Sequence, residues 1–186
     1  MQEYLTLIVK FEHFEKNAYP DPIHGWGVPT IGYGTTVYPD GRKVGGYDSC
    51  TREEAARFME FHIEKRIIPV LNGIPTFPSM SPRQKSAIIS FAYNIGENFY
   101  GKEGFASITR VCDYPDRWGN RDWIISQFIK YRRGAELGLG RRRYAEALVF
   151  CGEDPLYAYN EAYSKLKSVS DILVLPDENE ALNSPK

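Results

Sequence analysis

The stretch "FEHFEKNAYPDPIHGWGVPTIGYGTT", Phe11 to Thr36, holds acids where a packed core would not want them. Glu12 and Glu15 stand ahead of a proline-framed turn, and Asp21 lies between Pro20 and Pro22 within it. Two carboxylates in different surroundings are what glycosidic bond cleavage requires. One must donate a proton to the leaving oxygen, and the other must attack or activate water. The donor belongs in a half-apolar place and its partner in a wetter one. On a helical wheel Glu12 falls within about 40° of Leu5 and Ile8, towards the apolar side. Asp21 lies past that helix in a water-facing turn. Trp26, Tyr33, Gly25 and Gly34 offer a shallow surface against which sugar faces can stack. Each residue also has a plainer role, as a solvated helix charge, an Asx turn or an ordinary strand threonine at Thr30. Glu15 fits the wheel as well as Glu12, so spacing alone leaves that choice open.

The elements that must hold these residues are readable from periodicity and punctuation. A first helix is expected over about 3–16, ended by Asn17 and the two prolines. Residues 18–47 carry strand and turn chemistry, with a Pro39-Asp40-Gly41 turn, and predict a small sheet. After that the chain reads as helical. Thr51 with Glu54 and Ser81-Pro82 with Gln84 are start signals, and the helices they open should stop at Pro69 and at an αL Gly96. Further helices are expected over 122–133, 140–151 and about 154–167. From Val174 onward the composition turns polar and acidic, predicting a poorly ordered tail. The class is α+β. One domain over 1–173 is expected, with a helix-plus-sheet lobe over about 1–60, a helical lobe over about 61–173 and a tail over 174–186.

Composition narrows the function further. The chain has 186 residues, a net charge of −1 and 42% hydrophobic residues, which gives one sizeable core and no global case for nucleic acid. Between Arg121 and Arg143 seven Lys/Arg face two acids, a local excess that predicts some salt-sensitive hold on an anionic polymer. Within it, Arg142 and Arg143 stand four and three residues before Glu146, the spacing of helix-face ion pairs. Cys50, Cys112 and Cys151 show no C-x-x-C spacing and read as reduced structural thiols. His13, His24 and His62 lack metal spacing and read as surface or loop residues, with His24 nearest the site. No metal or other cofactor is expected. The N-terminus lacks a signal-peptide pattern and no stretch is apolar enough to span a membrane, so residence in a cytoplasm is expected.

The Glu12-to-Tyr19-to-Asp21 spacing followed by "PTIGYG" resembles the catalytic signature of phage-type lysozymes, the endolysins of glycoside hydrolase family 24. "SPRQKSAIISFAYNIG", "GFASITR" and "GLGRRRYAEALVF" resemble later segments of that family in the same order, so the likeness covers about residues 5–152. The resemblance selects Glu12 over Glu15 and implies a catalytic set of Glu12, Asp21 and Thr30. It implies a lysozyme fold and a muramidase acting between N-acetylmuramic acid and N-acetylglucosamine, with inversion as the usual outcome. Trp26, Gly32, Tyr33, Asn94 and Arg142 are the expected substrate contacts. The expected partner is a peptidoglycan strand, met by a monomer with no stable membrane association and no nucleic acid. An endolysin would wait in the host cytoplasm for a holin-type membrane hole. The eight-residue "PIHGWGVP" between Asp21 and Thr30 is longer than the family's link and alters that edge of the cleft. A lytic transglycosylase, or a binding module without chemistry, are the alternatives.

Overall fold

A computed structural model describes residues 3–22, 24–132 and 136–175. Helix α1 covers Glu3–Phe11 and buries Tyr4, Leu5, Leu7 and Ile8. It is shorter than its periodicity predicts. Strand β1, Glu15–Asp21, begins where the apolar repeat would continue, and pairs antiparallel with β2, Gly25–Gly32. Glu15 lies opposite Gly32 in this hairpin. Pairing with the glycine strand therefore overrides the weak helical pattern of residues 12–16. Glu12 is left just past the helix, its N–H still donating to the Ile8 carbonyl at 2.9 Å.

The hairpin uses the long link between Asp21 and Thr30 directly. Tyr19 pairs with Thr30, Pro20 with Pro29 and Asp21 with Gly25, with a register shift after Pro20. Gly25 takes a positive φ of 58° at the tip. Beyond Gly32 the expected strands reduce to two isolated bridges, Ile31–Thr35 and Val37–Lys43. Asp48 ties this region together: its carboxylate accepts from the Tyr38 hydroxyl, Arg42 and the Gly45 N–H.

Both start signals form complete capping boxes, Thr51 with Glu54 at the head of α2 (Arg52–His62) and Ser81 with Gln84 at the head of α4 (Pro82–Ile95). Pro69 does not stop the intervening chain. A π-helical turn over Ile63–Ile67 leads into the short α3, Ile68–Leu71, which carries Pro69 in its first turn. A proline is tolerated there because its missing N–H is not needed at a helix start. Gly96 does end α4, at φ 109° and ψ 144°, a glycine conformation outside the expected αL region.

The remaining helices are α5 (Ala106–Asp113), α6 (Arg121–Phe128), α7 (Leu137–Phe150), α8 (Pro155–Lys165) and α9 (Val169–Leu173). The helix expected over 122–133 closes early in a 3₁₀ turn at Ile129–Tyr131, and Arg133 and Gly134 lie outside the described residues. No side chain caps the start of α5. It is held by burial of Ile108, Val111 and Cys112 and by the Ile108 N–H on the Tyr131 hydroxyl at 3.0 Å. The α9 turn, not expected from the sequence, is capped by Asp171, whose carboxylate accepts from the Ser168 N–H at 2.7 Å. Its Ile172 rests on the α-carbon of Gly140. Leu175 is buried too, so the chain remains packed one residue beyond the expected start of the tail, and 176–186 lie outside the described residues.

One continuous core joins these parts. Helix α1 packs on α4 and α8, and α7 packs on α4, α6 and α8. From Arg142 to Phe150 every residue of α7 is buried. Trp123 belongs to the core and Trp118 packs against it. The three cysteines are unpaired, and burial pushes the Cys112 and Cys151 thiols up to about 12, which keeps them inert.

Candidate active site

The end of α1, the loop after β2 and the end of α4 meet around a cavity of about 840 Å³. Glu12, Tyr33, Tyr93 and Asn94 are in its wall, with His62, Lys65 and Glu97 further along. A second cavity of about 610 Å³, edged by Lys130 and Arg132, shares Asn94 with the first. A concave, part-polar groove of this size suits an extended ligand.

Glu12 is held from beneath by charge. Arg142 Nη1 donates to Glu12 Oε1 at 2.6 Å, its Nε to Glu146 Oε1 at 3.1 Å and its Nη2 to the Ser90 carbonyl at 3.2 Å. Arg143 pairs with the other Glu146 oxygen at 3.2 Å and donates to Asn94 Oδ1 at 2.7 Å. Ser90 Oγ completes the set on Glu146 at 2.7 Å. Arg142 is 4% exposed, and Arg143 and Glu146 are fully buried. Arg142, Arg143 and Glu146 thus form a buried charged cluster, with Glu12 at one end and Asn94 at the other reaching the surface.

Arg142, expected at the substrate, lies buried behind Glu12 and donates to three acceptors. The i,i+3 and i,i+4 pairs with Glu146 form as their spacing predicts, but inside the protein. The predicted basic patch is correspondingly reduced, since Arg121 pairs with Glu153 at 2.8 Å and Arg141 donates to the Leu166 carbonyl at 2.7 Å.

Asp21 stands at the end of β1, outside the wall of the large cavity. Its Oδ1 accepts from the His24 N–H at 2.8 Å and lies 3.0 Å from His24 Nδ1. Thr30 is buried, its hydroxyl on the Val28 carbonyl at a long 3.3 Å. Tyr19 is the cross-strand partner of Thr30. Burial, then the charges of Glu15, Glu12 and Asp21, push its phenol above its ordinary value. Both expected catalytic carboxylates therefore act electrostatically on one ring.

The other expected contacts divide. Tyr33 and Asn94 line the cavity. Trp26 is 58% exposed and lies over Gly46, away from that wall. Gly32 has a packing role: at φ 67°, a Cβ there would come within 2.8 Å of Ala55 Cβ. His62 went unrecognised as a wall residue. Its ring meets Tyr93 edge-on at 6.1 Å, and desolvation lowers its pKa against the opposing pull of Glu97. Only its α2 periodicity could have pointed to it. Among the described residues no group of three His, Cys, Asp or Glu side chains is placed to hold a metal, and no helix is long and apolar enough to cross a membrane.

A family model for phage lysozyme matches residues 9–146, spanning Glu12 to Glu146. The chain belongs to the phage lysozyme family. It is a lysozyme-type glycoside hydrolase, lytic for peptidoglycan. An endolysin from Escherichia coli O157:H7 phage FAHEc1 is similar at 26% identity and TM-score 0.61, over 82% of this chain and 92% of that one. The muramidase domain of SpmX from Asticaccaulis excentricus matches at 23% identity and TM-score 0.61, over 82% and 97%. A P22 lysozyme variant matches at 19% identity and TM-score 0.60, over 81% and 96%. These last two speak for the fold, the lysozyme fold with a small antiparallel sheet and many helices. No curated protein sequence matches the chain significantly.

Proposed function

We propose that the chain hydrolyses the β-1,4 bond between N-acetylmuramic acid and N-acetylglucosamine with inversion. Glu12 donates the proton to the glycosidic oxygen. Asp21 orients and deprotonates the attacking water, with the Thr30 hydroxyl exchanging its long bond to Val28 for that water. The observation that carries this reading is Glu12 itself, a carboxylate in a cavity wall, fixed in place by a buried guanidinium at 2.6 Å. Such fixing is what positions a general acid within reach of a bound oxygen. An inverting pair needs about 6.5–9.5 Å between carboxyl groups, leaving room for the water.

The product decides between hydrolysis and ring closure by the sugar's own hydroxyl. Purified peptidoglycan digested by the wild type should release muropeptides one water heavier than the anhydro forms, and Asp21→Asn should abolish release. Anhydro products, with Asp21→Asn still active, would make the protein a lytic transglycosylase.

A further inference from the structure

Asn94 is the wall residue shared by both cavities, so a ligand passing from one to the other crosses it. We propose that its amide nitrogen donates a hydrogen bond to the acetamido carbonyl of an N-acetylated sugar, and that buried Arg143 is the positioning residue that turns the amide that way. The inference rests on the muramidase reading above and adds which chemical group of the glycan is recognised there.

A guanidinium offers donors and no acceptor. The Asn94 atom 2.7 Å from Arg143 Nη2 must therefore be the carbonyl oxygen, which leaves the NH₂ group on the other side. Arg143 has no freedom to reverse this. It is fully buried, sits 4.7 Å over the Phe91 ring and faces Glu146 at 3.2 Å. Burial lowers its pKa to about 10, so at neutral pH it remains a cation and a donor. Asn94 itself is exposed, and among the described residues its nitrogen has no hydrogen-bond partner. The neighbouring Tyr93 hydroxyl is already donated to the Tyr33 carbonyl at 2.6 Å. That side of the wall thus presents a fixed donor on the amide. Among the neutral groups of a peptidoglycan glycan the amide carbonyl is the strongest acceptor, while hydroxyls satisfy one another or water.

The test compares kcat/KM on soluble wall fragments that are fully N-acetylated with matched fragments carrying free amines. The wild type should prefer the acetylated fragments by about two- to tenfold, the worth of one neutral hydrogen bond. Asn94→Ala, which has no donor, and Asn94→Asp, which still accepts from Arg143, should both lose that preference. Arg143→Lys keeps a donor-only partner and should preserve the ratio in whatever fraction folds. Arg143→Gln lets the amide flip and should lower the ratio. If the Arg143 variants do not fold, the two Asn94 variants decide. An unchanged acetyl preference in both Asn94 variants overturns the inference. A wild type inactive on acetylated wall would instead sink the muramidase reading.

Discussion

Arg142 Nη1 lies 2.6 Å from Glu12 Oε1, joining the residue just past α1 to the middle of α7 across most of the chain. The same guanidinium reaches Glu146 and the Ser90 carbonyl, so one buried cation ties α1, α4 and α7 together beneath the groove. Glu12 is thereby tied to α4 and α7 through its partner.

Arg142→Ala should therefore cost stability as well as activity. It leaves Glu12 unpaired and Glu146 with Arg143 alone, and removing one member of a buried charge set costs about 3–5 kcal/mol. Denaturant unfolding measures this, with lysis assays on the fraction still folded. A loss under about 1 kcal/mol would mean that the pair contributes little.

Gly32→Ala should destabilise the hairpin against α2. The alanine would need an unfavourable φ of 67° and would press on Ala55 at 2.8 Å. Strain and overpacking each cost about 1–3 kcal/mol, so a loss of at least about 2 kcal/mol is expected on thermal or urea unfolding. Lytic activity per folded molecule should be retained, because the residue packs and does not touch the cavity.

His62 gives a pH dependence. Desolvation lowers its folded-state pKa below the ordinary 6.5. The unfolded chain then binds the proton first, so this residue's contribution is complete above about pH 6.5 and is lost as pH falls through the lowered value. His62→Gln should flatten the decline in stability that begins as pH falls below about 6.5. An equally steep decline in the variant would mean that His62 is not its source.

What the sequence reveals here follows from range. Caps are local, and Thr51–Glu54, Ser81–Gln84 and the Asn120 and Asp154 helix starts form where their side chains reach their own backbone. The spacing of Arg142 and Arg143 to Glu146 was equally local and equally readable. Its burial was not, because the carboxylate that completes the charge balance, Glu12, is distant in sequence. The end of α1 was misjudged for the same reason: only pairing with Gly32 turns Glu15 into a strand residue. Among the site residues, Glu12, Tyr33 and Asn94 reach the cavity wall, and Trp26 does not. Asp21 is engaged by His24, a contact created by the long hairpin link that no spacing rule anticipates.

The central claim is that Glu12 supplies the proton, and one comparison tests it most directly. Glu12→Gln keeps an oxygen for Arg142 to donate to, so its unfolding free energy should stay within about 1 kcal/mol of the wild type. Clearing of a turbid cell-wall suspension should nevertheless be lost. A well-folded Glu12→Gln protein that clears the suspension at the wild-type rate would contradict the account.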